Sequence, residues 1–136
     1  MHHLNSYLFA YVDSYLKEWI QSDVNNVMEF PLFFEMMEMA QKSVSLNNSC
    51  NDVYLNATII VIRADQDIRI QRILERSKRT HPDWTYETVM NVLNNQMDSK
   101  IKEARADYVI DNSGTVENTV GIIQNICKEL MEKENA

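Results

Sequence analysis

Apolar and polar positions alternate along this chain with two distinct periods. Leu4, Leu8, Tyr11, Val12, Tyr15, Leu16, Trp19 and Ile20 recur at helical spacing, so residues 1–21 predict an amphipathic helix with a wide apolar stripe. VNNVMEF at 24–30 predicts a short strand that Pro31 ends, because proline brings no N–H to a ladder. A Met- and Phe-rich helix follows over Phe33–Lys42, and the polar, Asn-rich 43–56 reads as a loop. TIIVI at 58–62 is the strongest strand signal; its unbroken β-branched run is typical of a strand buried on both faces of a parallel sheet. Asp65 is placed to cap a helix from Gln66 to about Lys78, with Ile68, Ile70, Ile73 and Leu74 as its apolar face. THPDW breaks it, and Thr85 caps a further helix to about Arg105 on a narrow stripe of Val89, Val92, Leu93 and Met97, as in a mobile flap.

The stretch Gln96–Gly114 organises the rest. Tyr108-Val109-Ile110 predicts a buried strand. Asp111-Asn112-Ser113-Gly114 is dense turn chemistry, with glycine available for positive φ, and Thr115 is an N-cap for a helix over 116–132. That helix turns Val120, Ile123, Ile126, Cys127 and Leu130 inward. A strand running through a turn into a helix N-terminus is where α/β folds place ligands, although an ordinary βα junction has the same pattern. The order α–β–α–β–α–α–β–α predicts an α/β fold with parallel strands.

Composition narrows the function. A chain of 136 residues suffices for one core. The net charge of −7 disfavours a general nucleic-acid role, which needs a basic face. No apolar run reaches membrane-span length and no signal-peptide pattern opens the chain, so no membrane role is expected. Cys50 and Cys127 lie far apart without metal spacing, which suits a reducing, cytoplasmic setting. With two glycines, Gly114 and Gly121, the chain contains no glycine-rich phosphate cradle.

Against that acidic background Arg69, Arg72, Arg76 and Arg79 share one helix face. Their planar forks suit phosphate; a solvated face paired with Asp65, Asp67 and Glu75 is the alternative. Glu29 and Glu35 bracket PLFF, either as carboxylates for a ligand or water-bridged metal, or as an edge charge and a helix-start charge. His81 is a lone loop histidine to which no role falls.

Four pieces in order resemble dephospho-coenzyme A kinase, a P-loop kinase family. They are His2 followed by Leu4 at a helix head, EFPLFFE at 29–35, IQRILER at 70–76, and Gln96 with Lys102 leading into ADYVIDNSG. The last is the most specific, and together they cover nearly the whole chain. The resemblance implies transfer of the ATP γ-phosphate to the ribose 3′-hydroxyl of dephospho-coenzyme A, with Mg²⁺, in coenzyme A synthesis. It implies His2, Pro31 and Glu35 on the acceptor side, Arg72 and Arg76 as catalytic lid arginines, and Asn112 with Gly114 against the adenine. No metal-ligating residue is implied in this chain. The family's His-Pro pair is His2-His3 here, and Val92 stands where the family has an arginine.

The resemblance begins part-way into the family sequence. The first strand, the GxxxxGK[ST] loop, the first helix and the aspartate that would act as general base have no counterpart in these residues. The expectation is therefore one incomplete kinase domain over 1–136. Its parts are acceptor-side elements at 1–42, a strand and lid-start helix at 58–79, a lid helix at 80–106, and the adenine-side strand, turn and helix at 107–136. By itself such a chain is expected to be inactive. It is expected to pair with an N-terminal fragment or to self-associate through unpaired strand edges. A non-catalytic nucleotide-binding or regulatory fragment is the alternative.

Overall fold

The computed structural model describes residues 2–22, 26–42 and 49–136, with the side chains of 2–10 left out of the description. The chain forms two compact units, residues 1–58 and 59–136.

The first unit is helical: α1 (His2–Ile20), α2 (Phe33–Lys42) and α3 (Ser49–Asn56). Its core gathers Leu16 of α1, Phe33, Phe34, Met36 and Met37 of α2, and Cys50 and Val53 of α3. Edge-to-face rings run from Phe30 to Phe33 at 5.8 Å, Phe33 to Phe34 at 5.4 Å, and Phe34 to Tyr54 at 6.3 Å, a geometry that satisfies the ring quadrupoles. The α2 helix has the predicted bounds. The apolar stripe of α1 is narrower than its spacing implies, since Tyr11 and Tyr15 are exposed; the part of the stripe at Leu4 and Leu8 lies outside the described side chains.

Two expectations fail in this unit. Residues 26–30 of VNNVMEF are not a strand, while 24–25 lie outside the described residues. A strand needs a ladder partner, and Val27 is fully solvent-exposed. The segment 43–56 is not all loop: 43–48 lie outside the description, but 49–56 are α3. An eight-residue polar helix is marginal alone. Here the Ser49 N–H donates to Asp13 Oδ1 of α1 at 3.0 Å, and Cys50 and Val53, one turn apart, are buried. A cap supplied by α1 and the burial of α3's own apolar face hold the helix.

The second unit holds β1 (Ile60–Arg63), α4 (Gln66–Thr80), α5 (Tyr86–Asn94), α6 (Ser99–Ala104), β2 (Tyr108–Asp111) and α7 (Val116–Glu134). β1 and β2 pair in parallel, with Ile60 opposite Tyr108 and Arg63 opposite Asp111. The ladder is anchored below by Ile59, whose N–H donates to Asp107 Oδ2 at 2.7 Å and whose carbonyl accepts from the Asp107 N–H at 2.9 Å. Ile70, Val89, Ile110 and Ile126 form the buried core. The two-stranded parallel sheet in a helix-rich chain is consistent with a P-loop kinase-like fold.

TIIVI is a strand but is not buried on both faces: Ile62 is 64% exposed and Ile60 43%. A two-stranded sheet gives β1 one neighbour and leaves its other edge without a ladder partner among the described residues. The flap helix is also not continuous. It breaks at Asn95–Asp98, where Asp98 Oδ1 accepts from the Lys100 N–H at 2.9 Å and starts α6 afresh. Thr85 does cap α5, in a reciprocal box with Thr88. In α7, Ile126 is buried, but Val120, Ile123 and Cys127 are exposed, contrary to the inward-facing stripe expected.

Candidate functional site

The carboxyl ends of β1 and β2 lie side by side, and the turn after β2 is gripped from three directions. The Asn112 N–H donates to the Arg63 carbonyl at 2.8 Å, which continues the ladder by one bond. The Asp65 N–H, at the head of α4, donates to Ser113 Oγ at 2.8 Å. Thr119 of α7 donates its hydroxyl to Asn112 Oδ1 at 2.9 Å. Inside the turn the Ser113 N–H donates to Asp111 Oδ1 at 2.9 Å, the local aspartate bond expected of this residue. Thr115 caps α7, its Oγ1 accepting from the Asn118 N–H at 3.2 Å.

Two residues act differently from their sequence reading. Asp65 occupies the N-cap position of α4, but its side chain makes no cap bond. Instead its carboxylate faces Arg63 Nη2 at 2.6 Å, with Asp111 Oδ2 on the same guanidinium nitrogen at 3.8 Å. Gly114 does not have positive φ. A Cβ there would meet Asn118 Nδ2 at 3.4 Å, close to an ordinary van der Waals contact with a side chain.

Charge at the turn is set locally. Hydrogen bonds from Ser113, its hydroxyl first and then its N–H, hold the Asp111 carboxyl below its ordinary value; Arg63 adds to the effect.

The basic face of α4 divides between two tasks. Arg72 Nη1 donates to the Asn112 carbonyl at 2.6 Å, and Nη2 reaches the Gly114 carbonyl at 3.5 Å. Arg76, one turn further on, is exposed, and its side chain forms no ion pair or hydrogen bond with another described residue. None of the four arginines pairs with Asp65, Asp67 or Glu75, so the face is solvated but not neutralised. A shallow groove of about 420 Å³, lined by Ile70, Leu74 and Tyr86 with Asp67, Glu75 and Lys78, runs along α4. Helical spacing puts it on the side away from the arginines.

The structure thus brings Arg72, Asn112 and Gly114 together in the second unit, with Arg76 on the same helix face. Pro31 and Glu35 belong to the first unit. Pro31 sits in the turn closed by the Phe33 N–H on the Phe30 carbonyl at 3.3 Å, and the half-buried Glu35 lies in the first turn of α2, where an acid complements the helix dipole. His2 starts α1, and its side chain lies outside the described residues. Sequence reading missed Ser113 and Thr119 as holders of the turn. Thr119 had a usable signal: it lies one helical turn after the Thr115 cap, so its hydroxyl returns to the turn.

No helix among the described residues is long and apolar enough to cross a membrane. Among the same residues, no three His, Cys, Asp or Glu side chains gather as a metal site. The two carboxylates at the strand ends, Asp65 and Asp111, both face Arg63. This donor set does not fit a divalent cation, which needs several free oxygens.

A family model described as dephospho-CoA kinase matches residues 2–118. Among curated relatives, the dephospho-CoA kinase of Oryza sativa subsp. japonica is 28% identical over 130 residues, 96% of this chain and 47% of the relative. That of Saccharomyces cerevisiae is 27% identical over 104 residues, 76% of this chain and 36% of the relative. That of Novosphingobium aromaticivorans is 33% identical over 75 residues, 55% of this chain and 35% of the relative. The matched regions span about a third to a half of those relatives. No solved structure gives a significant match. Matched along most of its length by the family model, the chain belongs to the dephospho-CoA kinase family.

Proposed function

We propose that this chain serves in ATP-dependent phosphorylation of the ribose 3′-hydroxyl of dephospho-coenzyme A, and that it provides the nucleotide side, the lid and part of the acceptor side of the reaction. The observation that carries this reading is the Asp111–Gly114 turn at the ends of two parallel strands, held beside an arginine face that has no acidic partner among the described residues. Asn112 and Gly114 receive the adenine. Arg76 takes charge on the transferring phosphates, for which its guanidinium has unused donors. Arg72 belongs to the same lid helix. His2, Pro31 and Glu35 serve the dephospho-coenzyme A side.

Phosphoryl transfer rests on positioning and on charge stabilisation by loop amides, a lysine and Mg²⁺. The 136 residues contain no GxxxxGK[ST] motif, and their described carboxylates do not form a cation site. The chain by itself is therefore expected not to turn over. The second reading, a nucleotide-binding or regulatory chain without catalysis, is favoured by the same missing motif.

The test is an assay of dephospho-coenzyme A phosphorylation with the chain alone and with the N-terminal part of a curated relative added in trans. The expected result is no product alone and product in the mixture. Turnover by the chain alone at about 1 s⁻¹ or more, the usual kinase range, overturns the inactivity. Absence of product in the mixture, with ATP still bound, favours the non-catalytic reading.

A further inference from the structure

Four arginines share the exposed face of α4, yet one of them is turned onto backbone. The Arg72 guanidinium spans the Asn112 and Gly114 carbonyls at 2.6 and 3.5 Å, across 40 and 42 residues of chain. Both terminal nitrogens of this fork are engaged by neutral backbone acceptors, Nη1 closely and Nη2 at the limit of a hydrogen bond, which leaves it fewer donors for a phosphate than a free arginine has. Arginine keeps its charge at every relevant pH, so the grip does not titrate away.

The grip also sets direction. A planar trans peptide points its N–H opposite to its C=O. Drawing the Asn112 and Gly114 carbonyls towards α4 therefore aims the Ser113 and Thr115 N–H groups away from it. The Ser113 N–H meets Asp111 Oδ1 as that orientation requires. The Asp65 N–H on Ser113 Oγ is a second link between the head of α4 and the same turn. α4 and the turn are thereby joined at both the first and second turns of the helix.

We propose that Arg72 is a positioning residue, which clasps the Asn112–Gly114 turn to α4 and so holds it in the shape that receives the base, while Arg76 is left to meet phosphate. The part that concerns the base rests on the nucleotide reading given above; the clasp itself does not.

The experiment has two arms, both on the full chain. In the first, amide hydrogen exchange is followed by NMR in the wild type, Arg72→Ala, Arg72→Lys and Arg76→Ala. Loss of the clasp speeds exchange at Asp65, Asn112 and Ser113 by about tenfold or more, as expected when charge-assisted bonds that restrain a segment are removed. Arg72→Lys restores part of the protection, since one ammonium cannot span both carbonyls. Arg76→Ala leaves these amides unchanged. Unchanged exchange in a folded Arg72→Ala overturns the clasp; if that variant does not fold, Arg72→Lys against Arg76→Ala carries the same comparison.

In the second arm, ATP and inorganic tripolyphosphate are titrated onto each variant. Arg72→Ala is expected to lose the preference for ATP over tripolyphosphate, and Arg76→Ala to weaken both by a similar factor. Equal weakening of both ligands by Arg72→Ala would make it a phosphate ligand and overturn the assignment. A wild-type chain with no affinity for ATP counts against the nucleotide reading of the turn, and the clasp is then decided by exchange alone.

Discussion

The backbone N–H of Asp65 donates to the hydroxyl of Ser113 at 2.8 Å, joining the start of one helix to the turn before another across 48 residues of chain. Each residue also reaches back to the strand ends, Asp65 through Arg63 and Ser113 through Asp111. The junction therefore couples both strand ends to both helix starts.

Ser113→Ala removes the acceptor of the Asp65 N–H and the hydroxyl that contributes most to lowering the Asp111 pKa, while the backbone N–H at 113 still donates to Asp111. At neutral pH it should lower the urea midpoint slightly, because the Asp65 N–H loses an exposed hydrogen bond. The acid response follows from the sign of the shift. A carboxyl with a depressed folded pKa contributes stability that is present above its unfolded value and is lost as pH falls through the folded value. Urea midpoints at about pH 6 and about pH 2.5 should therefore differ less in Ser113→Ala than in the wild type. An equal or larger acid loss in the variant would contradict the assignment.

Arg76 and Arg79 are both exposed on α4, but Arg79 lies in the last turn of the helix. In the mixture with an added N-terminal part, Arg76→Ala should lower turnover about tenfold or more, the value of a charge-assisted phosphate bond. Arg79→Ala should leave most of the turnover intact. Equal losses would remove the case for a specific phosphate arginine.

The two glycines should respond in opposite ways. Gly114 has negative φ, and an added Cβ would meet only the Asn118 side chain, so Gly114→Ala should be almost neutral for folding and should act on ATP binding. Gly121 lies inside α7, and a Cβ there meets nothing within 4 Å. Gly121→Ala should stabilise the unit by about 0.5–1 kcal/mol through helix propensity. Thermal melts of both variants check the pair, and a destabilised Gly121→Ala would refute this account of α7.

The cysteines should separate chemically. Cys50 is buried in the first unit, and burial, with the Asp13 carboxylate nearby, pushes its thiol up to about 11. Cys127 is exposed on α7. Iodoacetamide at neutral pH should label Cys127 and spare Cys50 until the chain is unfolded, as read by peptide mass mapping. Equal labelling of the native chain would mean that α3 does not pack as described.

The β1 edge that has no ladder partner among the described residues, with Ile60 and Ile62 exposed on the same strand, should promote association of the isolated chain. Light scattering after size exclusion should show a mass that rises with concentration. Ile62→Lys should reduce the effect, because a charged edge residue resists strand addition. A wild-type monomer at all concentrations, unfolding cooperatively with about 5 kcal/mol or more, would rule it out.

Much of this architecture was legible because it is local. The bounds of α2, the Thr85 and Thr115 caps, the β2 strand and the turn after it depend on neighbours within one or two helical turns, and such interactions are written in consecutive residues. The arginine face of α4 was legible for the same reason, as a consequence of helical period. The rest depended on residues far apart in sequence. A polar segment became α3 because Asp13, 36 residues earlier, supplies its cap. VNNVMEF has strand propensity, but its described residues 26–30 have no ladder partner and form no strand. The flap helix broke where Asp98 offered a new start. Helical period places four arginines together and cannot say which one meets a carbonyl; that choice falls to Arg72 because the parallel pairing of β1 with β2 brings the turn alongside the second turn of α4. Propensity and capping energies act over a few residues, whereas a hydrogen bond across 40 residues exists only after the strands have paired.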